Sequence, residues 1–288
     1  MTTMQGQTVL ITGATAGIGK VTAIELAKMG AAVVLVGRDA HKVENTVAEI
    51  RTLPGVDQPV DGLVANLASL AEVRALADTV KARYDHLNVL INNAGAVFMQ
   101  RQTSPDGFEM TFALNHLSYF YLTLLLLDLL KNNAAARVIS VSSGAHIGAS
   151  LNFDDIQNER KYTSFKAYGQ SKLMNIYFTR ELARRLEGSG ITANCLHPGF
   201  VATNFGRSNG GIFNGLFRMT HLAAISPEEG AKTSIYLASS PDVARVNGEY
   251  FYRSQVTKAS IQAYDDLAAK RLWDISLKLI NDPEIEKV

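Results

Sequence analysis

Short runs of apolar, β-branched residues recur along this chain, each followed by a stretch with helical spacing. That alternation restricts the fold more than any other feature of the sequence. Residues 8–12 (TVLIT), 32–36 (AVVLV), 88–91 (NVLI), 137–141 (RVISV) and 191–196 (ITANCL) largely lack the apolar–polar alternation of a half-exposed strand. Strands of this kind need cover on both faces, as in a parallel sheet between two helical layers. The reading is therefore strand 8–12, helix 17–29, strand 32–36, helix 40–51, a weaker strand 60–65, helix 69–84 and strand 88–91. A long helix after Pro105, strand 137–141, helix 165–186, strand 191–196, helix 227–238 and a short strand 249–252 complete it. These make one α/β domain over 1–288, a Rossmann-type doubly wound parallel sheet of about seven strands. A helical extension at about 260–281 has no strand after it and is expected to pack on the outside.

With 47% hydrophobic and 19% charged residues in 288, the chain supplies a large core and is not disordered. The net charge of +1 gives no basic excess for a phosphate backbone, so no nucleic-acid partner is expected. The single cysteine, Cys195, excludes an internal disulfide and a multi-thiolate metal site. Together with a start lacking a signal-peptide pattern, it points to the cytoplasm. The greasiest run, 122–130, is interrupted by Asp128 and is shorter than the roughly 20 residues a membrane span needs, so it reads as a buried helix.

The first strand runs through Thr12, Gly13, Ala14, Thr15, Ala16, Gly17, Ile18 and Gly19 into a helix. Glycines there let the backbone turn tightly and approach a pyrophosphate, whose charge then faces the helix N-terminus. The second strand ends at Gly37-Arg38-Asp39. An acidic tip would bind ribose hydroxyls and repel a 2′-phosphate, whereas Arg38 can pair with that phosphate, which favours NADP(H). Asp39 is read as the cap of the next helix, and Lys42 is a second, weaker phosphate candidate. Farther on, Tyr168-Gly169-Gln170-Ser171-Lys172 places a phenol and an ammonium four residues apart on one helix face. An adjacent ammonium is expected to lower the phenol pKa and make it a better base.

In this order the motifs resemble the short-chain dehydrogenase/reductase family over residues 8–252. They are the glycine loop, Asn92-Asn93-Ala94-Gly95, Asn115, Ser142-Ser143, YxxxK, and Pro198-Gly199 followed by Val201 and Thr203. The resemblance implies that Tyr168 is the general acid/base and that Lys172 holds the nicotinamide ribose. It implies that Ser143 orients the carbonyl oxygen, Ser142 being the alternative, and that Asn115 bends its helix and holds a water in a proton relay. It further implies coenzyme contacts from Gly13, Thr15, Ala16, Gly17, Ile18, Gly19, Arg38, Asn66, Leu67, Asn93, Ala94, Gly95, Tyr168, Lys172, Pro198, Gly199, Val201 and Thr203. Within the family the chain is similar to the retinol dehydrogenase branch, through Gly37-Arg38-Asp39, Asn66-Leu67-Ala68-Ser69-Leu70, His197-Pro198-Gly199 and Leu272-Trp273-Asp274.

The function implied is NADP(H)-dependent oxidoreduction of a small apolar alcohol, aldehyde or ketone. A catalytically silent dinucleotide sensor on the same fold is the rival from another class, and all four catalytic-type residues speak against it. Protochlorophyllide reductases, which resemble this branch, carry a cysteine after the Pro-Gly motif where this chain has Phe200. The glycine- and phenylalanine-rich stretch at about 204–226 is expected to be a substrate lid, a short helix packed permanently on the core being the alternative because Phe213, Phe217 and Met219 also fit helical spacing. The helices at 122–130 and around Tyr168 resemble the pair that family dimers bury; homodimer and monomer both stay open. His116 and His146 are expected to orient or pack rather than ligate a metal, and no metal is expected. Cys195 is read as a small hydrophobe and Trp273 as a packing anchor.

Overall fold

The computed structural model describes residues 3–133, 135–199 and 225–285. Its elements are β1 (Thr8–Thr12), α1 (Gly17–Lys28), β2 (Ala32–Gly37), α2 (Ala40–Arg51), β3 (Val60–Val64), α3 (Leu70–Arg83) and β4 (Val89–Asn92). A short helix α4 (Met110–Phe112) then passes through a π turn (Ala113–Leu117) into α5 (Ser118–Leu125) and α6 (Leu127–Lys131). β5 (Arg137–Val141), α7 (Ser164–Arg185), β6 (Thr192–His197), α8 (Pro227–Ser239), β7 (Tyr250–Tyr252), β8 (Gln255–Val256) and α9 (Asp266–Ile280) follow.

The strands form one sheet in the order β3-β2-β1-β4-β5-β6-β7-β8. All pairs are parallel except β7 with β8. The sheet thus has eight strands where about seven were expected. The extra one is a two-residue antiparallel return, Gln255–Val256, too short and too exposed to leave a hydrophobic pattern. Successive residues of a strand point to opposite faces. Val9, Ile11, Val33, Leu35 and Ile139 accordingly pack with Ala23, Leu26, Val43 and Leu237 from α1, α2 and α8. Leu10, Val34, Leu90 and Val138 pack on the other face with Val73, Phe120 and Phe178 from α3, α5 and α7. Both faces are therefore dry, which is why the strand sequences lack a polar alternate.

The helix expected directly after Pro105 starts later, at Met110. The intervening chain first makes a bridge between Thr103 and Glu109. Glu109 then caps the helix, its two carboxylate oxygens accepting from the Thr111 and Phe112 N–H groups at 2.8 Å each. The 122–130 run is a buried pair of helices as read, bent at Leu126. Asp128 points outward to Lys81 at 2.9 Å. Among the described residues no helix is long and apolar enough to cross a membrane.

Candidate active site

Strand order reverses between β1 and β4, and the crevice at a switch point is where open α/β sheets bind ligands. The two strand ends are tied across it. The Thr12 hydroxyl accepts from the Asn93 and Ala94 N–H groups at 2.9 and 3.0 Å, and the Asn93 amide donates to the Thr12 and Gly13 carbonyls at 2.8 and 3.2 Å. Gly13 has φ +66°, and a Cβ there would lie 2.8 Å from the Ala94 Cα. At Gly19 a Cβ would meet the Gly13 carbonyl oxygen at 2.4 Å, so the loop closes only with glycine at both places. α2, α3, α8 and α9 begin with side-chain caps from Asp39, Ser69, Ser226 and Asp265. α1 begins at Ala16 without a side-chain cap and without an acid in its first turn. Its first N–H groups, with Thr15 and Ile18 beside them, suit the pyrophosphate of a dinucleotide.

Arg38 is exposed at the end of β2, while Asp39 accepts from the Lys42 N–H at 3.1 Å as the expected cap. Lys42 lies 3.9 Å from Asp39. Asn66 is partly committed, since its Oδ1 accepts from the Ala68 N–H at 3.2 Å, and Leu67 beside it is buried. Gly95 lines the crevice between Asn115 and Lys172; a Cβ there would come 3.2 Å from Asn115 Oδ1 and 3.3 Å from Lys172 Nζ. Pro198 and Gly199 follow β6, with Gly199 at φ +95°. Val201, Thr203 and all but the last two residues of the stretch read as a lid lie outside the described residues.

Ser143, Tyr168, Lys172 and Asn115 converge beside this crevice. Ser142 is buried with its hydroxyl donating to the Lys172 carbonyl at 2.8 Å, so it faces inward. Ser143 is half-buried; its hydroxyl accepts from the Ala145 N–H at 3.2 Å and acts on the Tyr168 phenol, pulling its pKa down. Neighbouring residues at the end of a strand point opposite ways, and only the second of the pair faces the phenol. Lys172 Nζ lies 5.6 Å from the Tyr168 ring centroid and donates to the Val141 carbonyl at 2.9 Å.

Asn115 stands in the π turn, which supplies the expected bend. Its side chain accepts from the Ala96 N–H at 2.9 Å and donates to the Ala96 carbonyl and the Ser171 hydroxyl at 3.0 Å each. Both amide hydrogens are spent, so a relay water at Asn115 would be held as a donor, to the second lone pair of Oδ1 or to the main-chain carbonyl.

The expected lowering of the Tyr168 pKa is not what the site shows. Burial pushes the phenol up to about 12, outweighing the Ser143 hydrogen bond that pulls it down. Burial also pulls the Lys172 ammonium down to about 7, so its charge is itself half lost at neutral pH. The phenol therefore holds its proton across the neutral range.

The model of the short chain dehydrogenases matches residues 7–210. The chain belongs to the short-chain dehydrogenase/reductase family. It is 44% identical over 288 residues to human retinol dehydrogenase 14, covering 95% of this chain and 86% of that protein. It is 42% identical over 285 residues to human retinol dehydrogenase 13, covering 96% and 86%. It is thus a retinol dehydrogenase-like member. Among solved structures, an uncharacterised Mycobacterium paratuberculosis protein superposes with a TM-score of 0.80 at 33% identity, over 99% of this chain and 97% of that one. The Pseudomonas aeruginosa RhlG/NADP active-site complex superposes with a TM-score of 0.70 at 28% identity, over 86% and 95%.

Several contributors to this dehydrogenase site escaped the sequence reading. His197 and Ser171 reach into it only through hydrogen bonds from other elements. Gly169 reads as an ordinary helix interruption, yet a Cβ there would lie 2.6 Å from the Ala145 carbonyl oxygen. His146 is bonded as a structural group, from Nδ1 to the Ser143 carbonyl at 2.7 Å.

Proposed function

We propose that the chain is an NADP(H)-dependent oxidoreductase interconverting apolar alcohols with their aldehydes or ketones, Tyr168 being the general acid/base. The observation that carries this reading is the convergence of Tyr168, Lys172, Ser143 and Asn115 on the rim of the switch-point crevice, with Lys172 Nζ 5.6 Å from the phenol ring centroid and Ser143 acting on the phenol. Bound NADP(H) would supply or accept the hydride. Ser143 holds the reacting oxygen in line with the Tyr168 hydroxyl. A phenol that keeps its proton at neutral pH is set to give it to a carbonyl oxygen as that oxygen gains charge. Lys172, pulled down by burial beneath the phenol, is placed to return the proton, a transfer that runs downhill to a phenolate whose own acid is the weaker one. The coenzyme reading rests on Arg38, and the NADP in the Pseudomonas aeruginosa relative agrees with it. The name shared by the relatives, retinol dehydrogenase, favours a long apolar alcohol or aldehyde as substrate.

Steady-state turnover of NADPH with a panel of aldehydes and ketones tests the proposal. Tyr168→Phe is expected to lower kcat by at least about a hundredfold, the scale of general acid catalysis, while the coenzyme Kd changes little. Ser143→Ala should follow it downward and Ser142→Ala should not. Near-normal turnover in Tyr168→Phe would sink the mechanism.

A further inference from the structure

His197 ends β6, and its ring makes more contacts in the site than its place before Pro198-Gly199 announces. Its Nδ1 lies 3.1 Å from the Gly144 nitrogen and 3.2 Å from the Gly199 nitrogen, and both N–H groups donate to it. Nδ1 must then be the bare nitrogen, with the ring proton on Nε2. Burial, and after it the neighbouring His146, pull His197 down to about 4, which keeps that acceptor available at neutral pH. The ring stacks on Tyr252 of β7, with centroids 4.9 Å apart and planes 16° from parallel. Gly144 lies flat against it; a Cβ there would come 3.2 Å from Nε2.

The two donors belong to different walls of the crevice. Gly144 follows Ser143, whose hydroxyl meets the phenol, and Gly199 closes the Pro198-Gly199 turn after β6. Ser143 is held from its other side by His146, whose Nδ1–H donates to the Ser143 carbonyl at 2.7 Å while Nε2 accepts from the Ser260 N–H at 3.1 Å. Two neutral histidines in opposite tautomers thus grip the main chain on either side of one hydroxyl.

We infer that His197 is a positioning residue, an acceptor shared by two loops that fixes the Ser143 hydroxyl against the Pro198-Gly199 turn. It touches no reacting atom and acts through Ser143. The inference rests on the oxidoreductase reading for its consequence, but the acceptor itself is measurable without turnover.

Two substitutions separate the acceptor from the ring. His197→Asn keeps an oxygen where Nδ1 stands and gives up the stack on Tyr252. His197→Phe keeps the stack and removes the acceptor, leaving two half-buried N–H groups without it. Amide hydrogen exchange is expected to show Gly144 and Gly199 protected in the native chain and in His197→Asn, and unprotected in His197→Phe. In turnover, His197→Phe should lose about tenfold or more in kcat, equivalent to about 1.4 kcal/mol, and His197→Asn should recover most of it. On a Ser143→Ala background the same His197→Phe change should cost little further, because the group it positions is gone.

Equal exchange in the Phe and Asn variants would overturn the inference. So would a His197→Phe loss of the same size with and without Ser143. Protection as described in a native chain that reduces no carbonyl would instead refute the oxidoreductase reading and leave the shared acceptor standing.

Discussion

Arg38 and Asp39 are neighbours with opposite fates. Asp39 turns back to cap α2, and Lys42 lies beside it, so neither competes for a ligand at the tip of β2. Arg38 remains exposed with no hydrogen-bond or ion-pair partner among the described residues. On the proposed function, a guanidinium exposed at the tip of β2 would separate the two coenzymes. Arg38→Ala is expected to weaken NADPH by roughly ten- to a hundredfold, the worth of about 1.5–3 kcal/mol for a charge-assisted hydrogen bond. NADH should bind the variant and the native chain alike. Dissociation constants from coenzyme fluorescence check this, and unchanged NADPH affinity would remove Arg38 from the site. The glycine loop, Arg38, Asn93 and the serine pair were legible because each lies at the end of a strand, and Tyr168 and Lys172 because they stand one turn apart on one helix. The choice between Ser142 and Ser143 was not, because it depends on which hydroxyl the Lys172 carbonyl occupies.

At the scale of elements, α7 carries Tyr168 and Lys172 one turn apart, and its glycine lets the Ser143 loop reach them. Propensity alone says that Gly169→Ala should stabilise the helix by about 1 kcal/mol. The added methyl would lie 2.6 Å from the Ala145 carbonyl oxygen, a main-chain atom that cannot swing aside. The turn at Gly144–His146 must then retreat, taking Ser143 with it. Gly169→Ala is therefore expected to lose turnover by about tenfold or more, with no gain in thermal midpoint despite the better helix former. Calorimetry beside kcat measurement decides it; a more stable and fully active variant would mean that the loop moves freely. The π turn at Asn115 is a similar device. It was foreseeable only through resemblance, since no local residue pattern in ALNHL demands a widened turn.

For the whole molecule the C-terminal helix matters most. Trp273 of α9 sits edge-on to Phe120 at 4.8 Å and stacks on Phe178 at 6.1 Å, with the Arg185 guanidinium 4.4 Å from its centroid. Beyond α9, Asp282 accepts from the Tyr121 hydroxyl at 2.6 Å and pairs with Arg74, which also holds Glu284. These contacts cover the Phe120 and Phe178 side of α5 and α7, the pair that resembled a dimer seam. The native chain is expected to sediment without self-association through that face. Trp273→Ala should lower stability by about 3–5 kcal/mol, the usual cost of deleting a buried ring, and promote association at high concentration. A stable native dimer that Trp273→Ala abolishes would show that the face is a seam after all.

Acid acts on the same junction. His116 is buried between Phe112 and Phe120, bonds Ser276 of α9 at 2.9 Å, and is pulled down to about 3 by burial. Unfolded, it would titrate near its ordinary 6.5, so between those values the unfolded chain binds the extra proton. Its contribution is therefore whole above about pH 6.5 and falls as acid is added, by up to roughly 1.4 kcal/mol per pH unit. Urea midpoints from pH 7 to pH 4 should drop less steeply in His116→Gln than in the native chain. Parallel curves would exclude His116 as the group.

The sequence by itself determined the doubly wound sheet and the switch-point crevice. Alternating apolar runs and helices leave few topologies, and the glycine loop, Arg38, Tyr168 and Lys172 each carry their meaning within one turn or one strand end. Only the tertiary structure decided which serine faces the phenol, that both Asn115 amide hydrogens go to Ala96 and Ser171, and that α9 covers α5 and α7. It also reversed the expected direction of the Tyr168 pKa. Spacing on a helix predicts that Tyr168 and Lys172 are neighbours, and they are. It says nothing of how much water the rest of the chain removes from around them, and that desolvation pushes the phenol up and the ammonium down.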